Sequence, residues 1–113
     1  FLFLLNNILT YYNIIIYKMN EMIKRVSEIS EIMKSFSNKD KLAILCFLWN
    51  EEKNVSEIMT CTSISQSQIS QYLWKMKLEW ILDSEKKWKE VFYKISDPKI
   101  LELISAMKII FNK

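Results

Sequence analysis

Two helix-start signals close together constrain this chain more than any other feature. Asn54 is followed three residues later by Glu57, and Ser65 three residues later by Gln68, each the pattern of a capping box. The first opens a short helix expected to carry Val55, Ile58 and Met59 inward and to end in Cys61, Thr62 and Ser63. The second is reinforced by Ile64, placed before the cap and opposite Ile69 as a hydrophobic staple. Two short capped helices joined by a few residues make a helix-turn-helix, here over about 54–78.

The flanking segments complete a small domain. Met22, Val26, Ile29, Met33 and Phe36 recur at helical spacing from Glu21 onward, with Lys24, Arg25, Glu28, Glu31 and Lys34 between them. Asn38 caps a second helix to about Asn50, and its unbroken apolar run Leu42–Trp49 suits an element surrounded by others. After Leu78 the period becomes two. Ile81–Glu85 and Glu90–Ile95 are expected to pair across Lys86–Lys89, with Val91, Tyr93 and Ile95 on one face, as a hairpin wing over about 81–95. Ser96 and Asp97 before Pro98 open a last helix carrying Ile100, Leu101, Ile104, Met107 and Phe111. The fold class is mainly α with a small β-hairpin, a winged helix-turn-helix over residues 21–113.

Composition narrows the chemistry. A chain of 113 residues that is 50% hydrophobic supports one core. It has no glycine, so its turns must be made without the residue that adopts positive φ cheaply. It has no histidine, which excludes His-based metal sites and Ser-His or Cys-His catalysis. Cys46 and Cys61 match no zinc spacing and are too few for a secreted disulfide scaffold, so a reducing cytosol is the expected setting. Ser67 and Ser70 lack a base of suitable type and there is no glycine-rich phosphate loop, so no enzyme, cofactor or metal is expected. The net charge of +3 suits an anionic partner without specifying one.

Residues 1–20 stand apart. Phe1–Tyr17 is apolar but interrupted by Asn6, Asn7, Thr10 and Asn13, and it lacks the basic start and cleavage site of a signal peptide. It is shorter than the ~20 residues of a spanning helix, so a membrane partner is not expected. Translated sequence upstream of a natural start at Met19 or Met22 is the first reading, an extra packing helix or a membrane anchor the others.

The functional expectation comes from the second helix of the helix-turn-helix. If Ile69, Leu73 and Met76 face the core, the helical period turns Gln66, Ser67, Ser70, Gln71 and Trp74 outward. Gln pairs bidentately with adenine and Ser bonds base edges or phosphates, so this face suits the major groove of double-stranded DNA. The helix N-terminus at Ser65, Gln66 and Gln68 can receive a phosphate. Lys75 and Lys77 on the helix, with Lys86, Lys87 and Lys89 at the wing tip, are phosphate-contact candidates. The bland alternative is a solvated face. A third reading is a winged helix used for protein docking through Trp74 and Trp88.

From Met22 to Phe111 the chain resembles the ArsR/SmtB family of winged-helix repressors. KLAILCFLW is similar to its "RLxIL" helix, NVSEI to "SVGEL", SISQSQISQYL to "LSQSxxSxHL" and VFYKISDP to "xxYxLxDP". The nearest likeness is to the sulfide- and redox-responsive branch of biofilm growth-associated and HlyU-like regulators. The resemblance implies a homodimer built on the first and last helices, two recognition helices in successive major grooves of an operator, and repression relieved by a chemical signal. It places Cys46 where that branch carries its first sensing cysteine; read from its apolar helix alone, Cys46 is a small core side chain. The second sensing position corresponds to Asn112, so a bridge of the family kind cannot form. The short helix begins Lys53, Asn54, Val55, Ser56 without cysteine, which argues against a metal sensor. Trp80 occupies the family's glycine position after the recognition helix, where positive φ is often needed and costs something for a bulky residue, so a different exit to the wing is expected.

Overall fold

A computed structural model describes residues 1–112, and the chain divides between Lys34 and Ser35 into two compact units. The element order is α1 (Leu2–Ser37), α2 (Lys39–Phe47), α3 (Val55–Cys61), α4 (Gln66–Leu78), β1 (Leu82–Lys87), β2 (Glu90–Ile95) and α5 (Pro98–Phe111).

α1 is 36 residues long and begins well before Glu21, because no proline or glycine interrupts the segment upstream of it. Thr10 satisfies its hydroxyl within the helix by donating to the Asn6 carbonyl at 2.8 Å. Within the first unit the apolar residues follow a seven-residue repeat. Its a positions are Leu2, Leu9, Ile16 and Ile23, and its d positions are Leu5, Tyr12, Met19, Val26 and Met33; Ser30 is the single polar interruption.

The second unit holds the expected core. Asn38 Oδ1 caps α2 by accepting from the amides of Asp40 and Lys41 at 3.0 and 3.1 Å. Ile44, Leu45 and Leu48 then pack inward and are essentially inaccessible. α2 stops at Phe47 rather than near Asn50, and Asn50 carries the left-handed φ of 57° that redirects the chain. Ile58 from α3, Ile69, Leu73 and Met76 from α4, Ile81, Leu82 and Ile95 at the wing base, and Ile100 and Ile104 from α5 complete the core. Met59 departs from expectation: it is exposed, because neighbouring residues of a helix point about 100° apart and Ile58 takes the core-facing direction.

β1 and β2 pair antiparallel from Leu82↔Ile95 to Lys87↔Glu90. The strands therefore run further than expected, and the turn is only Trp88–Lys89. Positive φ occurs at Trp88 but not Lys89, the sign pattern of a type II′ hairpin turn, which normally takes glycine first. Lys53 adds an isolated antiparallel bridge to the wing, its amide donating to the Tyr93 carbonyl at 3.0 Å and its carbonyl accepting from Tyr93 at 2.8 Å. Asp97 caps α5 through Lys99 N at 2.9 Å, with Pro98 in the first turn as expected.

Candidate nucleic-acid interface

The helix-turn-helix assembles through local hydrogen bonds. At α3 the box is complete: Asn54 Oδ1 accepts from Glu57 N at 2.8 Å, and Glu57 Oε1 accepts from Asn54 N at 3.2 Å. In the turn, the Thr62 hydroxyl donates to the Ile58 carbonyl at 2.9 Å and so closes the end of α3. At α4 the Ser65 half of the box forms, Ser65 Oγ accepting from Gln68 N at 3.3 Å. Ser65 Oγ also lies 3.4 Å from Ser67 Oγ, so its role begins as that of a cap.

Ile69, Leu73 and Met76 are fully buried, and this fixes the rotation of α4. Gln66, Ser67, Gln68, Ser70, Gln71, Trp74 and Lys75 are all exposed. With about 100° between successive residues, Ser67, Gln71 and Trp74 lie opposite the buried stripe, while Ser70 flanks it on one side and Gln68 and Lys75 on the other. The outward surface is an amide and hydroxyl strip with one indole.

α4 ends in a left-handed residue. Ile81 N donates to the Met76 carbonyl at 3.0 Å and Trp80 N to the Lys77 carbonyl at 3.1 Å, the paired bonds of a Schellman motif. Trp80 itself supplies the positive φ of 62°, so the chain keeps a left-handed residue at this position despite the bulky side chain, and Trp80 is 85% exposed. Beside it an open cleft of about 520 Å³ is lined by Trp74, Lys77, Leu78, Trp80, Leu82, Asp83 and Ser96.

The wing is tied to the helices by polar contacts. Lys77 Nζ donates to Ser84 of β1, and Asn54 Nδ2 donates to Glu90 Oε2 at the start of β2 at 3.0 Å. Lys86 and Lys87 sit on β1 and Lys89 in the turn, all exposed around Trp88. Lys87 is already occupied: its ammonium pairs with Glu52 and lies 5.5 Å from the Phe92 ring centroid. The hydrogen bond to Glu52, the largest influence, holds its pKa above the usual lysine value. Neither Glu52 nor the partnership was visible locally, since 35 residues separate the two.

Lys41 is a second residue that local reading misses. It lies behind α4, only 7% exposed, with its ammonium 6.0 Å from the Tyr72 ring centroid. Burial, then repulsion from Lys75, lowers its pKa. An apolar stem under a charged head accounts for its place beside the core.

Both cysteines are free, Cys46 half-buried and Cys61 exposed. Burial raises the Cys46 pKa, partly opposed by Lys108 of α5. Lys108 Nζ stands 3.8 Å from the Trp49 ring centroid, and Trp49 Nε1 donates to Ser105 Oγ at 3.0 Å, joining the turn after α2 to α5. Asn112 caps α5 by donating to the Lys108 carbonyl at 3.1 Å.

Comparison with known proteins gives a consistent picture. Residues 38–79 match the family model described as bacterial regulatory protein, arsR family. The biofilm growth-associated repressor of Agrobacterium fabrum is 30% identical over 90 residues, covering 80% of this chain and 77% of that protein. The crystal structure of the transcriptional repressor BigR from Xylella fastidiosa superposes with a TM-score of 0.75 at 28% identity, covering 81% of this chain and 94% of that one. Reduced HlyU from Vibrio cholerae gives a TM-score of 0.77 at 27% identity, covering 82% and 98%.

Proposed function

The chain belongs to the arsR family of bacterial regulatory proteins, DNA-binding transcriptional regulators, and we propose that it acts as a homodimeric repressor whose α4 reads an operator from the major groove. The observation that carries this reading is the exposed strip on α4, whose orientation is set by three fully buried residues beneath it. In this reading exposed Gln71 makes a bidentate contact to adenine, and Ser67 and Ser70 offer hydroxyls to base edges or phosphates. Ser65, Gln66 and Gln68 at the N-terminus receive a phosphate through backbone amides. Lys75, Lys86 and Lys89 take further phosphates, while Lys87 must leave Glu52 to join them.

Cys46 acts in this reading as a packing residue, since its raised pKa disfavours the thiolate on which redox chemistry depends. No helix among the described residues is long and apolar enough to cross a membrane. The proposal is tested by selecting bound fragments from random double-stranded DNA. A palindromic consensus with half-sites about one helical turn apart is expected. Recovery of DNA with no enriched sequence would refute specific readout.

A further inference from the structure

Trp88, at the tip of the wing, is 95% exposed. It stands first in a two-residue turn with φ of 61°, where glycine is the usual occupant. A left-handed backbone is costly for a bulky residue, and packing gives nothing in return here. Among the described residues the Trp88 indole makes no ring contact and its Nε1 donor has no partner.

The arm that carries this ring is braced. Lys77 bonds Ser84, Asn54 bonds Glu90, and Lys53 pairs with Tyr93 through the backbone, so α4, α3 and the segment before α3 each hold the hairpin. Charge surrounds the ring. Lys86 and Lys87 are consecutive in β1 and project from opposite faces of the ribbon, and Lys89 follows the indole in the turn. Lys86 and Lys89 form no ion pair among the described residues, while Lys87 is held by Glu52. The carboxylates nearest the tip in sequence are Glu85 and Glu90, and Glu90 is turned to Asn54.

A flat apolar ring with cations on both faces of its ribbon fits a groove about 6 Å wide that has a row of phosphates on either side and base edges at its floor. The wing is also long enough. Its 6-residue first strand, at about 3.3 Å per residue, carries the tip roughly 20 Å from the wing base, and half a turn of DNA is about 17–18 Å. Lysines alone would suffice for phosphate contacts, which require neither the ring nor the left-handed backbone.

We infer that Trp88 wedges between two base pairs from the minor-groove side beside each half-site, unstacking that step and bending the operator. The inference rests on the operator reading above and adds to it a residue that reads deformability. Polar side chains on α4 read base edges, whereas the wedge favours pyrimidine–purine steps such as TA and CA, which unstack most easily. The lysines around it supply the attraction that offsets the unstacking.

The test uses the full chain and the fragment recovered by selection, with 2-aminopurine at the flanking step and circularly permuted copies to measure bending. Wild type should bend the fragment and raise the 2-aminopurine fluorescence. Trp88→Gly places the turn's usual residue at the left-handed position, so its urea midpoint should be no lower than that of wild type. It should nevertheless bind at least ~10-fold more weakly and lose both the bend and the fluorescence rise. Trp88→Phe keeps a flat wedge and should retain most of both signals, and Lys89→Ala should bind more weakly with the bend intact. A wild type that selects no consensus removes the operator reading and the wedge with it. A consensus bound as tightly by Trp88→Gly as by wild type overturns the wedge alone and gives the indole to another partner, such as a protein surface. A weaker Trp88→Gly complex, with neither bend nor fluorescence rise in wild type, also overturns the wedge and lays the ring against the sugar-phosphate backbone.

Discussion

Asn54→Ala removes more than a helix cap. Asn54 Oδ1 holds the Glu57 amide at 2.8 Å, the Asn54 amide donates back to Glu57, and Nδ2 reaches Glu90 on the wing at 3.0 Å. An asparagine cap contributes about 1 kcal/mol. The link to Glu90 is exposed, so about 0.5–1 kcal/mol is appropriate for it. Together they set an expected loss of about 1.5–2 kcal/mol. Asn54→Ser keeps an acceptor for the Glu57 amide but is too short to reach Glu90, so it should lose only about 0.5–1 kcal/mol. Urea unfolding followed by tryptophan fluorescence, at one protein concentration because assembly shifts apparent stability, measures both. In a domain of this size the alanine variant should also lower Tm by roughly 6–16 °C. A loss below about 0.5 kcal/mol for alanine, or equal losses for alanine and serine, would refute the partition between cap and wing link.

Other perturbations test other parts of the molecule. Ser35 is 1% exposed and its Oγ has no hydrogen-bond partner, so Ser35→Ala should raise the urea midpoint, by about 1 kcal/mol in stability; a lower midpoint would show the hydroxyl to be satisfied. Trp80→Gly should stabilise by about 1 kcal/mol, because a mostly exposed indole gives little packing in return for its left-handed backbone. Gln71→Ala should weaken operator binding by about 1–3 kcal/mol at particular base pairs, whereas Lys89→Ala should weaken it on all sequences and reduce the salt slope by about 0.9. Alkylation of Cys46 should need a higher pH than an ordinary thiol, since the thiolate reacts and burial disfavours it. Lys108→Ala removes the opposing positive charge and should push the rate–pH midpoint higher still; a downward shift would contradict that assignment.

The elements that could be read from the sequence are those whose causes are local. Asn38, Asn54, Ser65 and Asp97 each accept from amides two or three residues ahead, so the helix starts needed no knowledge of the rest of the chain. The outward face of α4 was equally accessible, because Ile69, Leu73 and Met76 leave its rotation no freedom. The amide and hydroxyl chemistry of that face already pointed to DNA, and family likeness added the expectation of a repressor. At Trp80 the bulky residue at the family's glycine position led to the expectation of a different exit to the wing, yet the fold keeps the left-handed residue there.

What only tertiary structure decided lies where distant segments meet. Glu52 neutralises a wing lysine from 35 residues away, Asn54 does double duty as cap and tether, and Lys41 is drawn beneath α4 beside Lys75. The two-residue turn at Trp88–Lys89 likewise came from pairing the strands: in a chain without glycine no turn residue announces it, and backbone pairing of Lys86 and Lys87 outweighed their polar character. Caps and periods are short-range constraints that one segment can satisfy alone. Charge partners, strand register and exposure depend on which surfaces the folded core brings together.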